Sequence, residues 1–89
     1  MDKTISIEFT GKVQQVGFRY FVFRLASELG IKGYVRNQPD GSVYIEAESD
    51  SNHLTVFVEH CKKGPPQSKI HHFRINEIPK KNFDDFKIY

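Results

Sequence analysis

The hydrophobic period of this chain changes across residues 11–17. Before that stretch, Ile5, Ile7 and Phe9 alternate with Thr4, Ser6 and Glu8, which predicts a half-buried strand over residues 3–10. After it, Phe18, Phe21, Val22, Leu25 and Leu29 recur at helical spacing, with Arg24 and Glu28 outside and Gly30 placed to end the helix. A loop with glycines at both ends, Gly11 and Gly17, therefore joins a strand to a helix start. The first amides of a helix have no acceptor within it, and the dipole adds about half a positive charge there. Such a loop is a ready anion site. Arg19 stands near the helix start, where a cation is unfavourable by about 0.3–1 kcal/mol. Either its side chain bends away into water, or an anion is expected beside it.

The rest of the chain supplies five more elements and the turns between them. Residues 31–37 read as a second strand, Gln38-Pro39-Asp40-Gly41 as a turn, and residues 42–48 as a third strand, the two strands forming a hairpin. In the third strand Val43, Ile45 and Ala47 face inward, and Tyr44, Glu46 and Glu48 face outward. Ser49, Asp50, Ser51 and Asn52 offer helix N-caps, and Leu54, Phe57, Val58 and Cys61 mark a second helix. Gly64-Pro65-Pro66 stops it. A fourth strand falls within residues 68–78, with inward positions among Ile70, His72 or Phe73, and Ile75. A loop over 79–82 and a short closing strand through Phe86 and Ile88 follow.

The order βαββαβ predicts an α+β fold, the ferredoxin-like sandwich, with an antiparallel sheet and two helices on one face. Right-handed crossovers make the first two strands parallel, with the third inserted between them. The glycine loop and Asn37, at the end of strand two, then share one edge of the sheet. Asn37 lies two residues after Val35 and so points to the same face. It is expected to look toward the loop and Arg19 across two strand spacings, about 10 Å.

Composition limits the partners. The 89 residues suffice for one domain, residues 1–89, with one two-layer core. At 38% hydrophobic and 13% aromatic residues the chain is globular, and its net charge of +2 does not point to nucleic acid or membrane. The sheet face carrying Glu8, Glu46 and Glu48 would also repel an RNA backbone. The single cysteine excludes an internal disulfide and fits a reducing compartment. The first residues lack the apolar core of a signal peptide, so a cytoplasmic location is expected, with a monomer as the default state.

Two motifs carry a resemblance. Gly11-Lys12-Val13-Gln14-Gln15-Val16-Gly17-Phe18-Arg19 is similar to the first signature of the acylphosphatase family, GxVQGVxFR, at all fixed positions but one. Gly33-Tyr34-Val35-Arg36-Asn37, followed by Gly41-Ser42-Val43, resembles its second. The likeness extends to the Phe86-Lys87-Ile88-Tyr89 tail. It implies hydrolysis of acyl phosphates, small-molecule substrates, without metal or other cofactor. It implies that the loop of Gln14, Gln15, Val16, Gly17, Phe18 and Arg19 cradles a phosphate or sulfate anion. Arg19 would bind the phosphate and Asn37 would position the attacking water. The departure is Gln15, where the family usually has glycine. If that position needs a positive φ, Gln15 costs on the order of 1 kcal/mol. A catalytically impaired domain that only binds phosphate or carbamoyl phosphate is the alternative, as in the related domains at the front of much longer hydrogenase-maturation proteins.

The implied chemistry agrees with what the sequence lacks. Neither a Ser-His-Asp arrangement nor a carboxylate dyad is apparent. The leaving group of an acyl phosphate is a carboxylate, of pKa about 4, which needs no general acid at neutral pH. His53 and His60 stand about 10 Å apart along a helix, and His71 and His72 point to opposite faces of a strand, so no metal site is expected. Cys61 fits the apolar stripe of its helix as a structural thiol.

Overall fold

A computed structural model describes all of Met1–Tyr89. Its elements are β1 (Asp2–Lys12), α1 (Phe18–Leu29), β2 (Lys32–Asn37), β3 (Val43–Asp50), α2 (Ser51–Lys63), β4 (Lys69–Ile78) and β5 (Phe86–Ile88). The sheet order is β4-β1-β3-β2-β5. β3 pairs antiparallel with both β1 and β2, and so lies between them as the crossover rule requires. β4 pairs antiparallel with β1. The closing strand β5 pairs parallel with β2, so the antiparallel sheet gains a parallel edge and is mixed.

The alternation of apolar residues decides which face is buried. Ile7, Phe9, Val35, Val43, Ile45 and Ala47 are wholly buried, and they form one core with Phe18, Val22 and Ala26 of α1 and Leu54, Phe57 and Cys61 of α2. Both helices therefore cover the same face. Burying a side chain such as Phe9 or Phe57 is worth about 1.5–3 kcal/mol. β4 is an edge strand: Phe73 and Ile75 pair with Phe9 and Ile7 and share their face, but each keeps a third or more of its surface exposed. Phe73, not His72, is the helix-facing residue.

The first strand runs further than its alternation suggests. It continues through Gly11 to Lys12, because the ladder with β4 absorbs an irregularity between Thr10 and Gly11. Gly11 has φ 128°, and a Cβ there would lie 2.2 Å from the Lys69 carbonyl oxygen, so the irregularity requires glycine. The loop is shortened to residues 13–17.

The other face of the sheet departs from expectation. Thr4, Ser6, Glu46 and Glu48 were expected to face solvent, yet all four are buried. The segment 79–85, between β4 and β5, crosses over them. Glu48 holds it there: its carboxylate accepts N–H bonds from Lys81 (2.8 Å), Asn82 (3.0 Å) and Phe83 (2.9 Å), and a hydroxyl bond from Thr4. Lys81 Nζ lies 3.5 Å from Glu46 Oε1. Of the carboxylates expected to repel a polyanion, Glu48 binds the chain's own backbone, Glu46 accepts from the Tyr44 hydroxyl at 2.7 Å, and Glu8 pairs with Arg74 at 2.7 Å.

Burial alone would raise the Glu48 pKa, but these donors outweigh it and hold the carboxyl down at about 2. Its folded value lies below the unfolded value of about 4.3, so the stabilisation is complete above that pH and is lost as pH falls toward 2. We expect Glu48→Gln to destabilise the protein by about 2 kcal/mol at pH 7. Thermal unfolding at pH 7 and pH 3 checks this, with the gap between wild type and variant narrowing at the lower pH.

Candidate active site

The 13–17 loop is anchored at both ends by buried residues, Val13 and Phe18. Between them the backbone changes hand twice. Gln15 has φ 60° and Gly17 has φ 79°, whereas Val16 does not take a positive φ. Alternation of this kind turns successive N–H groups toward one concave side. Gln15 thus occupies the left-handed region, at a cost on the order of 1 kcal/mol for a side chain that is not glycine. Gly17 is the N-cap of α1; it has no side chain to accept from the first turn, no other side chain caps the helix, and the first turn contains no acidic residue. The helix start is left with free donors and an uncompensated dipole.

A recess of about 150 Å³ opens beside this loop, lined by Gln15, Gly17, Arg19, Asn37 and Ile88 among others. The structure so brings Arg19 and Asn37 together, with the loop between them, as strand parity and the crossover predicted. Asn37 is the last residue of β2 and pairs with Val43. Its Oδ1 is buried and has no hydrogen-bond partner. A buried amide oxygen without a donor is costly, on the order of 1–3 kcal/mol, unless water or a ligand supplies one.

Arg19 is half-buried, and its Nη1 donates to the main-chain oxygen of Tyr89. The Tyr89 N–H in turn donates to the Val35 carbonyl at 3.0 Å. The arginine is therefore held over the recess by the strand end beyond β5 and does not bend away into water. A guanidinium has five N–H donors, so one bond to Tyr89 leaves the others for an anion. Nothing local in the sequence announces the partnership, since the two residues are 70 positions apart.

The remaining loop residues divide. Phe18 enters the core and lines the recess only in part. The Gln14 side chain points elsewhere: its Nε2 donates to the carbonyls of Gln38 (2.8 Å) and Ser42 (3.0 Å). These belong to the β2–β3 turn, which Gly41 N–H to Gln38 O (3.1 Å) and Gln38 N–H to Ser42 O (2.9 Å) close. Val16 faces a separate groove along α1. Cys61 lies on the buried side of α2, and burial pushes its thiol well up from its ordinary value. No three His, Cys, Asp or Glu side chains converge as a metal site would require. Neither helix is long and apolar enough to cross a membrane.

A free helix start, an arginine and an unsatisfied amide meet at one recess of a small ferredoxin-like sandwich, an arrangement suited to an anion. Comparison with known proteins is more specific. The acylphosphatase family model matches residues 5–88. An acylphosphatase of Thermotoga petrophila is 45% identical over 86 residues, covering 97% of this chain and 96% of that one. The crystal structure of the acylphosphatase from Bacillus subtilis superposes with a TM-score of 0.95 at 39% identity, over 100% of this chain and 99% of that one. Full-length HypF, crystallised in a phosphate- and nucleotide-bound form, matches with a TM-score of 0.90 at 34% identity, but this chain covers only 12% of it. The chain belongs to the acylphosphatase family.

Gln15 is the point at which the loop can be tested. Glycine there would remove the positive-φ cost and clear a side chain from the recess, while adding freedom to the unfolded chain. Gln15→Gly is expected to tighten inorganic phosphate binding, by about tenfold at most, with a change in stability below about 1 kcal/mol. Titration calorimetry and chemical denaturation read the two effects. Weaker phosphate binding would instead show that the Gln15 amide contacts the anion.

Proposed function

We propose that this protein hydrolyses the carboxyl–phosphate bond of acyl phosphates, giving a carboxylate and inorganic phosphate. The observation that carries the reading is the unsatisfied Oδ1 of Asn37 in a recess shared with Arg19 and the free amides of the helix start. The amides of residues 15–19 and the Arg19 guanidinium neutralise the phosphoryl oxygens, and their charge-assisted bonds strengthen as charge grows in the transition state. An inorganic phosphate or sulfate occupies the same cradle. Asn37 Oδ1 accepts a hydrogen bond from the attacking water, which points a water lone pair at phosphorus.

The water oxygen forms the new bond to phosphorus, and the bond from phosphorus to the acyl oxygen breaks with its electron pair leaving on the carboxylate. A substrate phosphate oxygen takes up the water proton, so no protein base takes part. The carboxylate is a good enough leaving group to need no acid. A phosphate ester releases a far more basic alkoxide, and this site offers it no proton donor. Esters are accordingly poor substrates.

A domain that binds without turnover is the competing reading, and it rests on Gln15 in the cradle at φ 60°. Loss of benzoyl phosphate ultraviolet absorbance on adding the protein separates the two, since a pure binder leaves the absorbance unchanged. Two substitutions divide the labour within the site. Arg19→Ala is expected to lower kcat/KM by about a hundredfold or more and to weaken phosphate binding, with the circular dichroism of the fold retained. Activity within about threefold of wild type would remove Arg19 from the site. Asn37→Ala is expected to lower kcat by a similar factor while phosphate affinity stays within about threefold. A large loss of phosphate affinity would show that Asn37 holds substrate and not water.

A further inference from the structure

The largest recess of the molecule is not the one containing Asn37. It is a groove of about 390 Å³ along the outer side of α1, lined by Val16, Gly17, Tyr20, Phe21, Leu25 and Pro65 together with Arg24 and Glu28. Gly17 and Tyr20 also line the smaller anion recess, so the two spaces meet at the first turn of α1. Consecutive loop residues take opposite sides: Gln15 faces the anion recess and Val16 the groove. Asn37 and Ile88 belong to the first space alone, and Phe21, Leu25 and Pro65 to the second alone.

We infer that this groove takes the acyl half of the substrate and favours an uncharged apolar acyl group, aromatic or branched, over acetyl. The inference rests on the acyl-phosphate reading above and adds a specificity site to it. Displacement at phosphorus places the incoming and leaving oxygens roughly in line. With water held at Asn37, the leaving carboxylate points across the loop, away from β2 and toward the groove. What the groove presents there is apolar: two aromatic rings, a leucine and a proline. The charges on its rim, Arg24 and Glu28, pair with each other at 3.8 Å and leave no net charge for an ionised acyl chain. Tyr20 is 61% exposed although it touches both recesses, so its ring is free to close against a bound acyl group.

The test uses the full chain and two non-hydrolysable analogues, acetylphosphonate and benzoylphosphonate, followed by calorimetry. Benzoylphosphonate is expected to bind about tenfold tighter or more. Tyr20→Ala and Leu25→Ala are each expected to narrow that ratio to within about threefold. Leu25 also packs against the core, so the exposed Tyr20 provides the variant that keeps its fold. Values of kcat/KM for acetyl and benzoyl phosphate should follow the same ratio. Equal binding of the two phosphonates by the wild type overturns the groove assignment, even where both phosphates are hydrolysed. So does a variant effect that appears only with a change of oligomeric state in sedimentation, which would make the groove a contact between copies of the chain. A tenfold preference in binding without turnover of either phosphate supports the groove and removes the hydrolytic reading instead.

Discussion

The joint between the 13–17 loop and the β2–β3 turn governs the whole site, and it is made by one side-chain amide. Gln14 lends both of its N–H donors to carbonyls of the turn, those of Gln38 and Ser42. Gln38 directly follows Asn37, so the 13–17 loop and the strand end that carries Asn37 are fixed to each other. The choice of side chain follows from the partners. Two carbonyl oxygens demand two donors on one planar group, which an amide supplies and a carboxylate of the same shape does not. The turn is ordered on its own account by the Asp40 carboxylate, which accepts from the Ser42 N–H at 3.0 Å. The loop therefore docks on a turn already ordered, which limits errors in its placement relative to Asn37.

Around this joint the chain accepts local costs that a purely structural loop would avoid. Gln15 is held at positive φ, α1 begins at a glycine without a side-chain cap, and Asn37 Oδ1 is buried without a donor. The first costs on the order of 1 kcal/mol, the second a few tenths of one, and the third about 1–3 kcal/mol. All three sit at one recess, and under the hydrolytic reading proposed above an anion with its water supplies partners for the open helix start and for Asn37 Oδ1, while the Gln15 backbone cost persists. The contrast with α2 makes the point. There Asp50 caps the helix, accepting from the His53 N–H at 2.9 Å, and three basic residues occupy the last turn. One helix of the pair is finished at both ends and the other is left open toward the recess.

Much of this was legible from the residues because it depends on local periods. The inward sets of β1 and β3, the stripe of the second helix, the Gly30 stop and the hairpin turn all follow from spacing and turn chemistry, and each is present; in the first helix Phe21 lines the outer groove and Ala26 joins the core instead. The meeting of Asn37 with the loop also follows, since it needs only strand parity and the hand of a crossover. What the sequence hid is non-local. The irregularity at Gly11 is a property of the ladder with β4, not of the β1 alternation. Glu46 and Glu48 look like solvent-facing residues until the 79–85 segment, more than thirty positions later in the chain, brings its amides to Glu48. The Arg19 contact with Tyr89 joins residues 70 positions apart and has no pattern to betray it. Gln14 was legible as a loop residue, but its role as the joint appears only when the turn is placed beside it.

The buried carboxylate and the arginine are linked through one segment. Glu48 pins residues 81–83, which lead directly into β5; β5 pairs with β2, and its end delivers the Tyr89 oxygen that orients Arg19. The aromatic cluster of Tyr34 with Phe83 and Tyr89, at centroid distances of 6.0 and 5.8 Å, packs the same stretch against β2. A three-residue strand contributes few ladder bonds of its own, so these anchors are what keep the chain end in register. Orientation of a flexible guanidinium before the anion arrives reduces the entropy lost on binding, at about 0.5–1.5 kcal/mol for a long side chain. The covering segment that took Glu46 and Glu48 out of solvent thus leads into the strand end that holds the Arg19 guanidinium, and stability on one face of the sheet is linked to geometry on the other.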